Sequence, residues 1–304
     1  MIYKIRTESK ELQILRSLNN RMELSPKDKQ HYFNLKKGYE GELMFDSLTE
    51  KLQCECLILN DLLLKLNSTL FQIDTIIIIP EMIYLFEVKN FEGDYLFENE
   101  RLYKKPKSEI TNPLTQLSRG ESLFRQLLQS LGHNIHVEAS LVFINPEFTL
   151  YQAPQNKPII LPTQVNRCLR KINSNSSTLK DRHRILADKL ISLYIPDSPF
   201  KQIPNYNFDH LHKGIGCGKC NSLSNIVINT KCVCQACGYE EIVEYAVMRL
   251  VKEAQLLFPN QAITTNTIHS WCKIIDSKKR IRLILDKNFK SVGNHRWTYY
   301  EEIL

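Results

Sequence analysis

The sequence predicts an α/β protein in which a central mixed β-sheet flanked by helices is followed by two small units. Helical and strand-like segments alternate up to about residue 195, five of the nine cysteines cluster near residue 225, and the last segment is basic. The length of 304 residues allows two or three domains. The predicted order is an N-terminal helical extension (1–37), the α/β domain (38–195), a linker (196–212), a cysteine-rich unit (213–240) and a basic module (241–304).

Composition excludes several classes of protein. At 43% hydrophobic and 24% charged residues, the chain is too apolar to be disordered and too mixed to be fibrous. Unbroken apolar runs such as residues 76–79 are far shorter than the roughly 20 residues of a membrane span, and the N-terminus has no apolar signal core. We therefore expect no membrane anchor, no export and a cytoplasmic location.

Charge is divided unevenly along the chain. Residues 38–110 contain fourteen acidic and seven basic side chains, whereas residues 273–296 contain eight basic and two acidic ones. This asymmetry predicts a basic segment that binds nucleic acid, joined to a unit whose carboxylates have another purpose.

The α/β domain is predicted element by element. The polar N-terminal segment suggests two helices, the second beginning at Ser25-Pro26, and a separate helix follows over 39–52. Asn112-Pro113 opens a helix that reaches about residue 131. The remaining predicted elements are strands over 57–64, 71–79, 83–88, 95–97, 139–144 and 159–161, and helices over 163–172 and 179–194.

The sharpest chemical pattern is Asp74 and, after twelve intervening residues, Glu87-Val88-Lys89. Side chains alternate along a strand, so Glu87 and Lys89 share a face, and an antiparallel neighbour brings Asp74 to the same face. An exposed strand face with a Glu-x-Lys pair is the alternative. The apolar neighbours at 76–79 and 83–86 favour a central strand instead.

Buried carboxylates and a buried lysine are costly unless they have a task. Asp74 and Glu87 supply the hard oxygen ligands that Mg²⁺ prefers, and Mn²⁺ can take the place of Mg²⁺. Lys89 would then orient a water molecule or stabilise charge on the phosphorus. The reaction that this set suits is phosphodiester hydrolysis.

Four motifs in one order carry a family resemblance. They are Gly38-Tyr39-Glu40-Gly41-Glu42, Gln72-Ile73-Asp74, the run 83–90 closed by Gly93, and Asn112-Pro113 with Gln116. Over residues 38–144 the chain resembles the nuclease-related (NERD) domain, which is similar to the PD-(D/E)xK restriction-endonuclease-like superfamily. The resemblance implies a restriction-endonuclease-like core and metal-dependent DNA cleavage. It also implies active-site positions at Glu42, Asp74, Glu87, Lys89 and Gln116, with Thr75 standing where relatives often have histidine.

Two of these positions have ordinary alternatives. Glu42, expected at the head of a helix, could be a surface acid that compensates the helix dipole. Gln116, one turn inside a capped helix, could be a solvated glutamine.

The cysteine pattern predicts a zinc ribbon. Cys217 and Cys220 form one C-x₂-C pair and Cys234 and Cys237 form another, so two tight turns can complete a tetrahedral shell of four thiolates around structural Zn²⁺. A redox C-x-x-C motif and plain buried cysteines are the alternatives. Cys232 lies outside the C-x₂-C spacing.

The C-terminal module is predicted as three helices, over 241–258, 264–275 and from Ser277 onward, and a hairpin turning at Gly293-Asn294. This order resembles a winged helix-turn-helix, whose third helix enters a major groove. A protein-interaction or dimerisation module with a solvated basic face is the alternative. The residues expected to bind nucleic acid are Lys278, Lys279, Arg280, Arg282, Lys287, Lys290 and Arg296, and His295 would join them in the wing.

The function predicted from sequence is therefore a metal-dependent nuclease that acts on DNA and is targeted by a zinc ribbon and a basic module. One alternative is a non-catalytic DNA-binding regulator or adaptor built on an endonuclease-like scaffold. Another is an adaptor whose zinc ribbon contacts a protein.

Overall fold

The computed structural model describes residues 1–106, 108–294 and 297–303. The chain divides into two compact units, the first formed by residues 1–8 and 33–200 and the second by residues 9–32 and 201–304. Among the described helices, none is long and apolar enough to cross a membrane. The predicted residues His295 and Arg296 lie outside the described part of the chain.

Eight helices and fifteen strands are found in the described residues. The helices are α1 (Lys10–Arg21), α2 (Pro26–Thr49), α3 (Pro113–Ser130), α4 (Val165–Asn173), α5 (Asp181–Ser192), α6 (Val243–Leu257), α7 (Thr265–Cys272) and α8 (Lys278–Asn288), with a 3-10 turn at Pro162–Gln164. The strands are β1 (Ile2–Lys4), β2 (Leu57–Leu66), β3 (Thr69–Ile78), β4 (Met82–Lys89), β5 (Gly93–Glu98), β6 (Arg101–Lys104), β7 (Ser108–Ile110), β8 (His136–Phe143), β9 (Phe148–Tyr151), β10 (Ile159–Ile160), β11 (Asn225–Ile228), β12 (Lys231–Cys234), β13 (Glu240–Ile242), β14 (Lys290–Val292) and β15 (Tyr299–Glu301).

A six-stranded mixed sheet organises the first unit, in the order β1-β2-β3-β4-β8-β10. Strand β3 pairs antiparallel with both β2 and β4, whereas β4 pairs parallel with β8. Strand β4 therefore lies between two neighbours, and its residues from Ile83 to Val88 are all buried. This confirms the predicted mixed sheet and the predicted central position of the strand that carries Glu87.

Helices cover both faces of this sheet. On one face Phe124 of α3 and Leu186 of α5 join an apolar core, and on the other Phe45 of α2 and Leu169 of α4 join a second one. Asn112 caps α3 as the sequence predicts, because its side chain accepts a hydrogen bond from the Leu114 N–H. The predicted α/β class with a sheet flanked by helices is confirmed.

Three features of the first unit differ from the sequence prediction. Residues Ile2–Lys4 form a strand instead of a helix, and β5 belongs to a separate four-stranded sheet in the order β7-β6-β5-β9. The helix expected over 39–52 is the C-terminal part of the single helix α2. Gly41 inside this helix permits a close approach, since a Cβ there would lie 2.4 Å from the Asn90 Cβ. Glu42 therefore lies well inside a helix, and the expectation that it stands at a helix head is wrong.

The second unit combines a three-stranded antiparallel sheet, β11-β12-β13, with helices α6 to α8 and the hairpin of β14 and β15. Leu250, Trp271 and Leu285 lie in its apolar core. The helix starts agree with the sequence prediction, because the side chains of Thr264 and Ser277 cap α7 and α8. Three helices and a hairpin thus follow one another in the predicted order.

Candidate active site and candidate metal centre

The carboxylates and the lysine predicted from the sequence meet where β3 and β4 run side by side. Thr75 of β3 pairs with Phe86 of β4. Asp74, the residue before Thr75, accepts a hydrogen bond through its Oδ2 from the Val88 N–H of β4 at 2.8 Å. Alternation places Glu87 on the face opposite to Phe86. Asp74 and Glu87 are 6% and 4% exposed, so both carboxylates are set into the sheet.

Lys89 links these acids to helix α3. Its Nζ donates to the Glu87 Oε1 at 2.6 Å and to the Gln116 Oε1 at 3.2 Å. Helix α3 packs on the sheet face that carries Leu85, which is also the face of Glu87 and Lys89. The structure thus brings Asp74, Glu87, Lys89 and Gln116 together, and Gln116, although exposed to solvent, accepts a hydrogen bond from the lysine.

A residue that the sequence prediction missed, Arg6, joins this group from the N-terminal segment. Its guanidinium donates to Glu42 at 2.7 Å, to both oxygens of Asp46 at 2.8 and 3.1 Å, and to the backbone oxygen of Asp74 at 2.7 Å. A longer contact of 3.3 Å reaches the Thr75 hydroxyl. The Arg6 side chain is 1% exposed. Glu42 is therefore held by a buried cation and is not a free surface acid.

Burial and mutual repulsion disturb the protonation of the acids. Burial, helped by the charge of Asp74, raises the pKa of Glu42 to about 8 and that of Glu87 to about 8. Burial also raises the pKa of Asp74, although Lys89 and the Val88 N–H oppose the shift. For Lys89, burial lowers the pKa, but Glu87 and Asp74 together outweigh it and the pKa is raised. The group has more acid than its own cations neutralise.

Each of the three acids keeps one oxygen without a protein partner among the described residues: Glu42 Oε1, Asp74 Oδ1 and Glu87 Oε2. Within the same residues, the only fully buried side-chain atoms without a partner belong to Asn60 and Trp271, so these three oxygens reach solvent. Hard oxygen donors that repel one another and face solvent fit a divalent cation. The donor set therefore suits such an ion, even though the three oxygens do not all lie within 4.8 Å of one another.

The part of the chain that carries this site is similar to one known protein family. Residues 37–144 match the family model described as the nuclease-related domain. Over this third of its length the chain is similar to the nuclease-related domain. No curated protein and no solved structure gives a significant match to the chain. The match confirms the resemblance carried by the four motifs and indicates a nuclease-like function.

The matched range contains Glu42, Asp74, Glu87, Lys89 and Gln116, but it leaves out Arg6. The candidate site thus also includes Arg6, which precedes the matched range in the chain and contacts Glu42 and the backbone of Asp74. The available sequence signal for Arg6 was the short apolar alternation around Ile2, which predicts a strand. That local pattern does not indicate which acidic residues lie near the strand.

The second candidate site is formed by the four cysteines of the two C-x₂-C pairs. The Sγ atoms of Cys217 and Cys237 are 3.7 Å apart, those of Cys220 and Cys234 are 3.6 Å apart, and all four lie within 4.8 Å of one another. Because Zn–S bonds are about 2.3 Å long, a tetrahedral zinc site separates its sulfurs by about 3.8 Å. The cluster has the dimensions of such a site.

Backbone groups support this cluster. Burial alone would raise the pKa of the Cys217 thiol, but the backbone N–H groups of Cys220 and Lys219 lower it to about 7. Cys232 points away into the apolar core and is 2% exposed, as its position outside the C-x₂-C spacing predicts. Four thiolates leave no position open for a substrate, so the cluster fits a structural ion.

The predicted nucleic-acid residues lie on and after α8. Lys278 donates to the Asn266 side chain and Arg280 donates to the Asn229 backbone oxygen, whereas Arg282 and Lys287 pair with Asp286 and Glu244. The side chains of Lys279 and Lys290 are exposed and make no hydrogen bond or ion pair within the described residues. The basic face is therefore partly occupied by the protein's own acceptors.

Proposed function

We propose that this protein is a divalent-metal-dependent nuclease that hydrolyses phosphodiester bonds of DNA, using Mg²⁺ or Mn²⁺. The observation that carries the proposal is the group of three carboxylates around Lys89, two of them buried (Asp74 and Glu87) and one partly buried (Glu42), each with one oxygen fixed by a protein donor and the other open to solvent. The match to the nuclease-related domain supports the same reaction class.

Asp74 and Glu87 are the residues proposed to hold the ion. When bound, the ion polarises a phosphoryl oxygen and makes a water molecule more acidic. The Asp74 carboxylate is fixed by the Val88 N–H and the Glu87 carboxylate by Lys89, so their open oxygens are held in a constant position. Such preorganisation avoids a rearrangement at the moment of reaction.

Lys89 is proposed to stabilise the negative charge that develops on the phosphoryl group and to orient the attacking water. Glu87 and Gln116 fix its ammonium from two elements, β4 and α3. An ammonium held at low exposure acts more strongly than one in bulk water, because the local dielectric constant is lower. Gln116 is in this sense a positioning residue.

Glu42 and Arg6 are proposed to shape the same site from α2 and the N-terminal segment. Arg6 holds Glu42 at 2.7 Å and the backbone of Asp74 at 2.7 Å, so it fixes two acids that would otherwise repel each other. Arg6 therefore acts by positioning and is not expected to contact the substrate.

The second unit is proposed to bring the protein to DNA. Structural Zn²⁺ bound by Cys217, Cys220, Cys234 and Cys237 would stabilise the small β11-β12-β13 sheet, which has too few residues for a core of its own. Lys279 and Lys290, followed by the other basic residues of α8, would contact phosphates. The arrangement of α6, α7, α8 and the hairpin supports a winged helix-turn-helix as the DNA-binding form.

The test is cleavage of plasmid DNA by the purified protein with Mg²⁺, Mn²⁺ or EDTA, beside an Asp74→Ala variant. We expect cleavage with either metal, none with EDTA, and a loss of at least about 100-fold in the variant, because an interaction made with the reacting group is removed. Glu98→Gln, which changes an exposed acid of β5, is the matched control and should keep full activity.

Equal cleavage by the wild type and by Asp74→Ala would show that the activity comes from elsewhere, and the proposal would be wrong. Binding of DNA without any cleavage, in both proteins and with both metals, would favour a DNA-binding regulator instead.

A further inference from the structure

A cavity of about 440 Å³ lies in the first unit, away from the carboxylates of the candidate active site. Tyr84 of β4 and Ser140 of β8 line it, and α4 contributes further lining residues. Tyr84 is separated from Glu87 by three positions on the same strand, so the cavity opens on the opposite face of the sheet. Its volume is that of a site for one small molecule.

The lining of this cavity carries two hydroxyl groups, on the buried residues Tyr84 and Ser140, that have no protein partner among the described residues. Tyr84 is 6% exposed and Ser140 is 8% exposed, and neither hydroxyl makes a hydrogen bond within the described residues. Both oxygens remain accessible, because neither is among the fully buried unpaired atoms. The two hydroxyls are thus available to a ligand.

Charged groups of both signs also line this cavity. Arg167 and Lys171 are exposed and stand four residues apart on α4, a spacing that puts them on the same side of the helix. Glu138 lies beside Tyr84 on the neighbouring strand. In the described structure these three side chains form no ion pair with one another. The lining also includes Ile160 and Ile172, which belong to the apolar core on this face of the sheet, and the polar side chain of Gln164.

We propose that this cavity binds a small ligand that combines an anionic group with a flat ring bearing N–H donors, the chemistry of a nucleoside monophosphate. Arg167 and Lys171 at the mouth suit the anion, the isoleucines suit the ring, and Glu138 with the two hydroxyls suits polar groups on the edge of the ring. The site is separate from the proposed nuclease centre and does not depend on it.

The test is isothermal titration of the full-length protein with guanosine 5′-monophosphate, with guanosine and with inorganic phosphate. We expect the monophosphate to bind at least about tenfold more tightly than either part alone, because each part fills only half of the cavity. The same ligand should slow the alkylation of Cys168, which also lines the cavity, as followed by peptide mass spectrometry.

Two exposed substitutions test the assignment without threatening the fold. Arg167→Gln and Lys171→Gln should each weaken monophosphate binding about tenfold, since each removes a charge-assisted hydrogen bond. Arg170→Gln, on the same helix but outside the cavity, is the matched control and should bind like the wild type. Ser140→Ala should weaken binding less.

Three results would overturn the proposal. One is that no monophosphate binds. A second is that inorganic phosphate binds as tightly as the monophosphate, which would leave a plain anion site. The third is that binding survives both α4 substitutions but is lost in Asp74→Ala, which would place the ligand at the carboxylates. Because Asp74→Ala should bind the monophosphate normally, failure of the nuclease proposal and failure of this one are distinguishable.

Discussion

The two candidate metal sites differ in how the protein compensates the groups it buries. At the carboxylates, two side-chain cations, Arg6 and Lys89, hold the acids with hydrogen bonds of 2.6 to 3.1 Å. At the four cysteines, the support given by the protein consists of backbone N–H groups such as that of Lys219, and the thiols otherwise face one another.

Under the proposed function, this difference would separate an ion needed for chemistry from an ion needed for folding. The carboxylate site sits in a six-stranded sheet with apolar cores on both faces, so its residues stay in place without an ion. The cysteine site sits in a sheet of three short strands, whose geometry depends on what links the thiols. Metal removal should therefore inactivate the first site and unfold the second.

Removal of one thiolate gives the largest expected effect. Cys220→Ser should abolish zinc binding and unfold the region of β11 to β13, because structural zinc contributes on the order of 10 kcal/mol to such small units. Zinc content by atomic emission and amide hydrogen exchange of residues 213–240 are the measurements. Cys232→Ala is the matched control, as it alters a cysteine of the same sheet that lies outside the cluster. Full zinc content in Cys220→Ser would contradict the assignment.

Loss of Arg6 should come next. Arg6→Met leaves the buried Asp46 and the partly buried Glu42 without their cation, which should lower the free energy of unfolding by about 3 to 5 kcal/mol in urea denaturation. Arg101→Met removes an exposed pair with Glu109 and should cost less than about 1 kcal/mol.

Arg21 makes the Arg6 experiment specific to the site. It is as buried as Arg6, but it pairs with Glu253 and lies over the Trp271 ring in the second unit. Arg21→Met should also destabilise the protein, yet it should leave the affinity of the first unit for Mn²⁺ unchanged, as measured by electron paramagnetic resonance. If Arg6→Met leaves the Mn²⁺ affinity equally unchanged, Arg6 has only a structural role.

The raised pKa values at the carboxylate site predict how the free energy of unfolding and the Mn²⁺ affinity depend on pH. Glu42 and Glu87 have pKa values of about 8 in the folded protein against 4.5 ordinarily, so the folded protein keeps protons that the unfolded chain has lost. The free energy of unfolding without metal should therefore fall as the pH rises from about 4.5 through about 8. Metal binding displaces these protons, so Mn²⁺ affinity should rise up to about tenfold per pH unit between pH 6 and 8 for each proton displaced.

A variant checks which acid causes this slope. Glu87→Gln removes one titrating carboxyl and should flatten the rise of Mn²⁺ affinity with pH, while Glu98→Gln should leave it intact. An affinity for Mn²⁺ that stays constant from pH 6 to 8 in the wild type would contradict the raised pKa values.

Sequence alone could predict the parts of the site that follow local periodicity. Alternation and burial placed Asp74 on one strand and Glu87 and Lys89 on its antiparallel, central neighbour, and the C-x₂-C spacing selected the four clustered cysteines. It could not predict the contact between Arg6 and Glu42, which are 36 residues apart in the chain. Arg6 follows β1, and β1 is held in place by its parallel pairing with β2, which local periodicity does not reveal. The continuity of α2 was also missed, since Gly41 normally weakens a helix and here admits Asn90.

The smallest expected effect concerns the basic face of the second unit. Lys279 and Lys290 have no partner in the described residues, so replacing both with alanine should remove two phosphate contacts without breaking any contact within the protein. The plot of log affinity for DNA against log salt concentration should become shallower by about 2, with little change in sequence preference. Lys252→Ala, an exposed lysine of α6, is the control. An unchanged slope in the double variant would mean that DNA contacts another surface, and the proposal that the basic face of the second unit binds phosphates would be wrong.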